Sequence, residues 1–192
     1  GAWGVHDVED VCAAVNHLAK KKLVDADKVA IKGSSAGGYT VLAALTFSDT
    51  FKAGASLYGI GDLETLATDT HKFESRYLDS LIGPYPEEKA LYQARSPIHH
   101  SEQLNCPVIF FQGLDDKVVP PNQAHAMVDA LDQKQVPVAY VPFEGEGHGF
   151  RQAANIQRSL EAEWSFYGQV FGFDIDASVE PVNVKHLHPQ IQ

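Results

Sequence analysis

Four short apolar stretches alternating with helical patterns predict an α/β fold built on a doubly wound, mostly parallel sheet. Two observations carry that reading. Val29–Ile31, Ala53–Leu57, Pro107–Gln112 and Pro137–Val141 are largely apolar throughout, as strands buried on both faces are. The segments between them repeat their apolar residues at helical spacing. The chain's 192 residues suffice for one domain with a core.

In chain order, Val5 to Leu23 places Val5, Val8, Val11, Cys12, Val15, Leu18 and Leu23 on one helical face. Asp7, Glu9 and Asp10 crowd its start and Lys20–Lys22 its end, as the helix dipole favours. Val24–Asp27 reads as a turn, Lys28–Lys32 as a buried strand, and Gly38–Leu45 as a helix. After the strand at Ala53–Leu57, Gly59 to Thr70 reads as a loop or irregular insertion. His71 to Ile82 reads as a helix closed by Gly83-Pro84, Glu87 to Ala94 as a short one, and Pro97–His100 as one further turn. Asn122 to Lys134 is amphipathic, with Ala126, Met127, Ala130 and Leu131 expected inward. Gln152 to Phe171 is a long closing helix with Ile156, Leu160, Trp164 and Tyr167 on one face. Residues 1–173 thus form one domain, and 174–192, where periodicity is lost, a C-terminal tail outside the core. The strand at Val29–Ile31 is as apolar as a central one, yet no stretch ahead of it can pair with its other edge. We therefore expect the sheet to lack its first strands in this chain.

Hydrophobic residues make up 44% and charged residues 21%, ordinary values for a globular protein. The net charge of −10 with no basic stripe argues against nucleic acid or an anionic membrane as partner. Neither Cys12 nor Cys106 sits in a disulfide or metal-binding pattern, which points to a reducing, cytoplasmic setting. No apolar run reaches the length of a membrane span, and no signal peptide is visible.

The chemistry centres on Gly33-Ser34-Ser35-Ala36-Gly37, set between a strand and a helix. Strand, tight Gly-x-Ser-x-Gly turn and helix form the setting of a nucleophile elbow, which holds its serine on a strained turn. Side chains at 33 and 37 are expected to collide with neighbouring backbone. The α/β-hydrolase order then requires an acid and afterwards a histidine. Leu114-Asp115-Asp116-Lys117-Val118-Val119-Pro120, at a strand's carboxyl end, offers two aspartates. Asp116 is the choice because it stands four positions before the proline; Asp115 remains the alternative. Glu144-Gly145-Glu146-Gly147-His148-Gly149-Phe150 supplies His148 on a glycine-flanked loop past the last strand. His125 reads as a surface helix residue, and His186 with His188 as polar tail rather than a metal pair. In this arrangement His148 is the base for Ser35, Asp116 fixes the imidazole, and the Ala36 N–H is one oxyanion donor. Such a donor is worth about 3–4 kcal/mol in the transition state. A second donor is expected from a loop upstream of this chain.

These motifs resemble the C-terminal catalytic domain of the prolyl oligopeptidase family, nearest its acylaminoacyl-peptidase and dipeptidyl-peptidase-like branch. Trp3-Gly4 with Asp7–Asp10, Ser96-Pro97-Ile98 and the 32-residue spacing from Asp116 to His148 agree with it. The resemblance implies an α/β-hydrolase fold and a serine peptidase acting on short peptides through an acyl-enzyme, without cofactor or metal. It also implies an N-terminal β-propeller on a longer polypeptide, and a homo-oligomer is compatible with it. By position, Tyr58, Phe73 and Tyr77 are the candidates for the substrate pocket. Two other readings stay open: a carboxylic ester hydrolase on the same fold, and an inactive truncated or structural fragment.

Overall fold

The computed structural model describes residues 1–69 and 76–187. At its centre four parallel strands lie in chain order: β1 (Ala30–Ser34), β2 (Ala53–Leu57), β3 (Val108–Gly113) and β4 (Val138–Phe143). Gly33 is in register with Ser56, Ser56 with Phe110, and Phe110 with Tyr140, so all four carboxyl ends meet at one end of the sheet.

Successive side chains on a strand serve opposite faces. Val108 and Phe110 join a core with α2 (Ala36–Phe47) and α6 (Asn122–Gln133); Ile109 and Phe111 join another with α7 (Ala153–Phe171). Helices on both faces are what the doubly wound expectation requires. The first helix, α1 (His6–Lys20), gives Val8, Val11, Cys12 and Val15 to the first core but buries none of them fully. It stops short of the expected Leu23, and Leu18 and Leu23 stay exposed. Both cysteines are free.

The stretch read as a loop, 59–70, contains a helix, α3 (Leu63–Asp69). Asp62 starts it: Oδ1 accepts the N–H groups of Glu64 and Thr65, and Oδ2 accepts the Thr65 hydroxyl. Leu63 and Leu66 are buried beneath it. Of the helix expected over 71–82, the described part is α4 (Tyr77–Leu81). It is followed by α5 (Lys89–Arg95), whose Lys89 and Gln93 hydrogen-bond Glu64 and hold that carboxyl down at about 2.

Two faces differ from expectation. In α6 the buried residues are Gln123, Ala124, Met127, Val128 and Leu131, while Ala126 is exposed. In α7 the buried residues are Ser159, Ala162, Ser165, Phe166 and Gly168. The large apolar side chains Ile156, Leu160 and Trp164 remain 41–56% exposed. Small residues let α7 lie close over the sheet, and that closeness outweighs burying the bulkiest side chains. The tail is also more than a surface run. Val179, Val182 and Val184 are buried, the last two within the second core, and Val138 and Lys185 form an antiparallel bridge on the outer edge of β4. Among the described residues β1 is the open edge, with Lys32 and Ser34 exposed.

Candidate active site

Ser35 stands between β1 and α2 with φ 55° and ψ −120°, a strained conformation for a residue with a side chain. Its N–H donates to the Leu57 carbonyl at 2.9 Å, which ties the turn to β2. The turn closes tightly because Gly33 has no Cβ; one placed there would run into the Gly37 backbone. At Gly37 itself an added Cβ meets nothing within 4 Å, so the expected collision there does not arise. Ala36 opens α2, and the first N–H groups of a helix have no partner inside it.

The loop after β3 carries Asp116, which is 3% exposed. Its Oδ1 accepts the N–H groups of Val118 and Val119 at 2.9 and 3.0 Å. Buried Gln112 closes the same loop by donating from Nε2 to the carbonyls of Gly113 and Val119. The loop after β4 carries His148. Its Nδ1 lies 2.8 Å from Asp116 Oδ2, and its Nε2 lies 2.8 Å from Ser35 Oγ. Three loops at the same end of the sheet therefore meet in one hydrogen-bonded chain, serine to imidazole to buried carboxylate. Asp115 is exposed and directs its N–H to the Glu146 carbonyl instead.

Tyr58 reaches this constellation by an unexpected route. It directly follows β2 with φ 38°, and its ring meets the His148 imidazole edge-on at 4.9 Å and the Phe150 ring at 5.3 Å between ring centres. It braces the imidazole from the side. Tyr77 is 57% exposed on α4, and Phe73 lies outside the described residues. His125 hydrogen-bonds the Tyr140 hydroxyl, and His186 bonds Asp132; His188 lies outside the described residues. Among the described residues no three His, Cys, Asp or Glu side chains converge as a metal site, and no helix is long and apolar enough to cross a membrane. The larger surface grooves, beside Lys28 and Phe171 and beside Tyr140 and Pro181, hold none of the three hydrogen-bonded residues.

Sequence reading missed what surrounds the three. Tyr58 against His148 is a tertiary contact with no local signature. Buried Glu146, 2% exposed, stood inside the histidine motif without a role. Its signal is a carboxylate in a glycine-rich loop just ahead of a helix, where unpaired N–H groups gather.

Chemically, the arrangement can take a proton from the Ser35 hydroxyl onto His148 Nε2 while Asp116 holds the other ring nitrogen. The model of the prolyl oligopeptidase family matches residues 1–174. A solved Mycobacterium tuberculosis puromycin-hydrolyzing peptidase is 50% identical with a TM-score of 0.92, over 96% of this chain and 28% of that one. Dipeptidyl aminopeptidase BIII of Pseudoxanthomonas mexicana is 30% identical over 178 residues, 90% of this chain and 26% of that protein. Esterase LipQ of Mycobacterium tuberculosis is 29% identical over 190 residues, 88% of this chain and 45% of that protein. The chain thus spans about a quarter of the length of the two peptidases.

Proposed function

This chain belongs to the prolyl oligopeptidase family, and from that premise we propose that it supplies the catalytic machinery of a serine peptidase acting on short peptides. The observation that carries the proposal is the unbroken hydrogen-bonded chain from Ser35 through His148 to Asp116. In this reading His148 Nε2 takes the hydroxyl proton as Ser35 Oγ attacks the amide carbonyl carbon. The carbonyl oxygen becomes an oxyanion facing the Ala36 N–H at the start of α2, where the helix dipole favours negative charge. His148 then hands the proton to the departing amine and leaves an acyl-enzyme. Water, deprotonated by the same imidazole, releases the acid and restores Ser35. Asp116 keeps the proton of the neutral ring on Nδ1 and stabilises the imidazolium.

The puromycin-hydrolyzing relative makes puromycin the first substrate to try, with aminoacyl and dipeptidyl amides beside it. The esterase relative supports a second reading, hydrolysis of carboxylic esters by the same three residues. The two separate on substrate: turnover of short p-nitrophenyl esters without any amide favours the esterase. A fluorophosphonate probe tests both. Labelling is expected to vanish in Ser35→Ala, to fall by about 10⁴-fold in rate in Asp116→Asn, and to persist in Asp115→Asn. Equal loss in the two aspartate variants would remove the assignment of Asp116.

The open edge of β1 and the length of the relatives support further sheet strands on the same polypeptide, with an N-terminal β-propeller beyond them. A homo-oligomer belongs to the same reading, and gel filtration with light scattering measures it. The two free cysteines support a cytoplasmic setting, which cell fractionation tests.

A further inference from the structure

A second buried carboxylate lies two residues before His148, and the serine–histidine–aspartate chain makes no use of it. Glu146 Oε2 accepts the Arg151 N–H at 2.9 Å. Its Oε1 accepts the Gln152 N–H at 2.9 Å and the Asn155 side-chain amide at 3.0 Å. Gln152 caps α7 and Asn155 lies in its first turn, so the carboxylate gathers donors from the helix start. The Glu146 carbonyl faces the other way and accepts the N–H of Asp115, the neighbour of Asp116. One residue therefore ties together the histidine loop, the acid loop and α7.

The loop needs such a tie. Gly145 and Gly149 flank it with φ of 70° and 98°, and glycine is the residue least able to stiffen a backbone. Yet the carbonyls of Glu146 and Gly147 press so closely on the end of β3 that a Cβ on Gly113 would collide with them. Close packing fixes where the loop lies, and the Glu146 carboxylate fixes how it turns. The three donors hold that carboxyl below the usual carboxylate range, the Asn155 bond most of all. It therefore stays ionised from neutrality down into mild acid.

Resting on the triad reading, we propose that Glu146 is a positioning residue that holds His148 in line with Ser35 and Asp116. It touches neither substrate nor reacting atoms and acts through the loop alone. Glutamine has the same shape, but its amide NH2 would face a backbone N–H, donor against donor, and one tie would be lost.

The test compares Glu146→Gln, Glu146→Asp and Asn155→Ala with the parent protein. Three quantities are read: kcat and KM, the thermal melt, and the low-field proton resonance of an imidazole Nδ1–H held against a carboxylate. Glu146→Gln is expected to lower kcat by about 10- to 100-fold with KM within about twofold, since a displacement of about 1 Å has that cost. It should also broaden or remove the resonance. Asn155→Ala removes one donor of three and should move kcat and the resonance the same way by less. Glu146→Asp, which keeps the charge, should recover part of the loss. Asn155→Ala decides the matter if Glu146→Gln does not fold. Wild-type kcat and resonance in folded Glu146→Gln would overturn the proposal. So would a loss of activity proportional to the loss of folded protein, with the resonance intact. Failure of the triad reading shows elsewhere, as fluorophosphonate labelling that survives Ser35→Ala; the resonance still reports whether Glu146 places His148.

Discussion

Ser35 keeps its strained φ because the chain turns through a space only glycine leaves open. That space is at Gly33, where a Cβ would meet the Gly37 backbone, and not at Gly37. The two outer glycines of one motif therefore answer differently to alanine. Gly33→Ala is expected to cost about 1–3 kcal/mol, as overpacked sites do. Gly37→Ala, inside α2 and facing open space, is expected to be neutral or to gain up to about 1 kcal/mol from helix propensity. Urea midpoints measure both, and equal midpoints would remove the steric account. Ser35, Asp116 and His148 were legible because each lies in a local pattern: a Gly-x-Ser-x-Gly turn, an acid at a strand end, a histidine among glycines. Their supports were not. Tyr58 takes φ 38° without being glycine or asparagine, and Glu146 is buried although glutamate seldom is. The contact of Tyr58 with His148 joins residues distant in sequence, so no local pattern announces it, and the one local sign of Glu146 is its place in a glycine-rich loop just ahead of α7.

At the scale of elements, the strands were legible from apolar runs, because a parallel strand buried on both faces has little else to show, whereas their order in the sheet comes from the structure. The orientation of α7 was not. Periodicity weighs apolar bulk, whereas Ser159, Ala162 and Ser165 face the sheet because their smallness permits contact. The same closeness brings the tail into the fold. The Val182 N–H donates to Ser165 Oγ at 3.0 Å, and its carbonyl accepts from Gln169 Nε2 at 2.9 Å. Val182→Ala removes two buried methyl groups and is expected to cost about 1.5 kcal/mol, read from the urea midpoint. A change within about 0.5 kcal/mol, the range of surface substitutions, would make the tail a surface feature after all. Further along, Lys185 and His186 both bond Asp132 at the end of α6, and the Lys185 bond first holds that carboxyl below its ordinary value. Because the folded value lies lower than the unfolded one, the contribution is complete above about pH 4 and fades as pH falls through the folded value. Exchange protection of the Val138 and Lys185 amides should therefore persist in mild acid and drop only below that point.

For the whole molecule, the two edges of the sheet are managed unequally. The tail bridges the outer edge of β4 at Val138, and Pro142 removes one donor from the same strand. The outer edge of β1 has no strand beside it among the described residues; Lys32 reaches out to Glu163 on α7. Glu163 lies on the same side of α7 as Ile156, Leu160 and Trp164, so an open backbone edge and an exposed apolar stripe run next to each other. Either feature alone is tolerable, since scattered apolar side chains are ordinary on protein surfaces. Together they make an adhesive margin, with hydrogen-bonding groups in a row and apolar side chains beside them. The 192-residue chain by itself is therefore expected to self-associate in a concentration-dependent way, measured by light scattering on the eluting protein. Leu160→Lys with Trp164→Lys should return it to monomer, because charges repel across a margin that meets its own kind. Lys32→Pro should do so by a different route, removing an edge donor. If both variants elute as the parent does, association does not run through this margin. A monomeric parent would mean that the Lys32–Glu163 pair alone suffices to guard the edge. Lys32 leads directly into the Gly33 turn, whereas Leu160 and Trp164 are exposed on α7, so Ser35 labelling in the monomeric variant that carries Leu160→Lys with Trp164→Lys reports whether association and reactivity are independent.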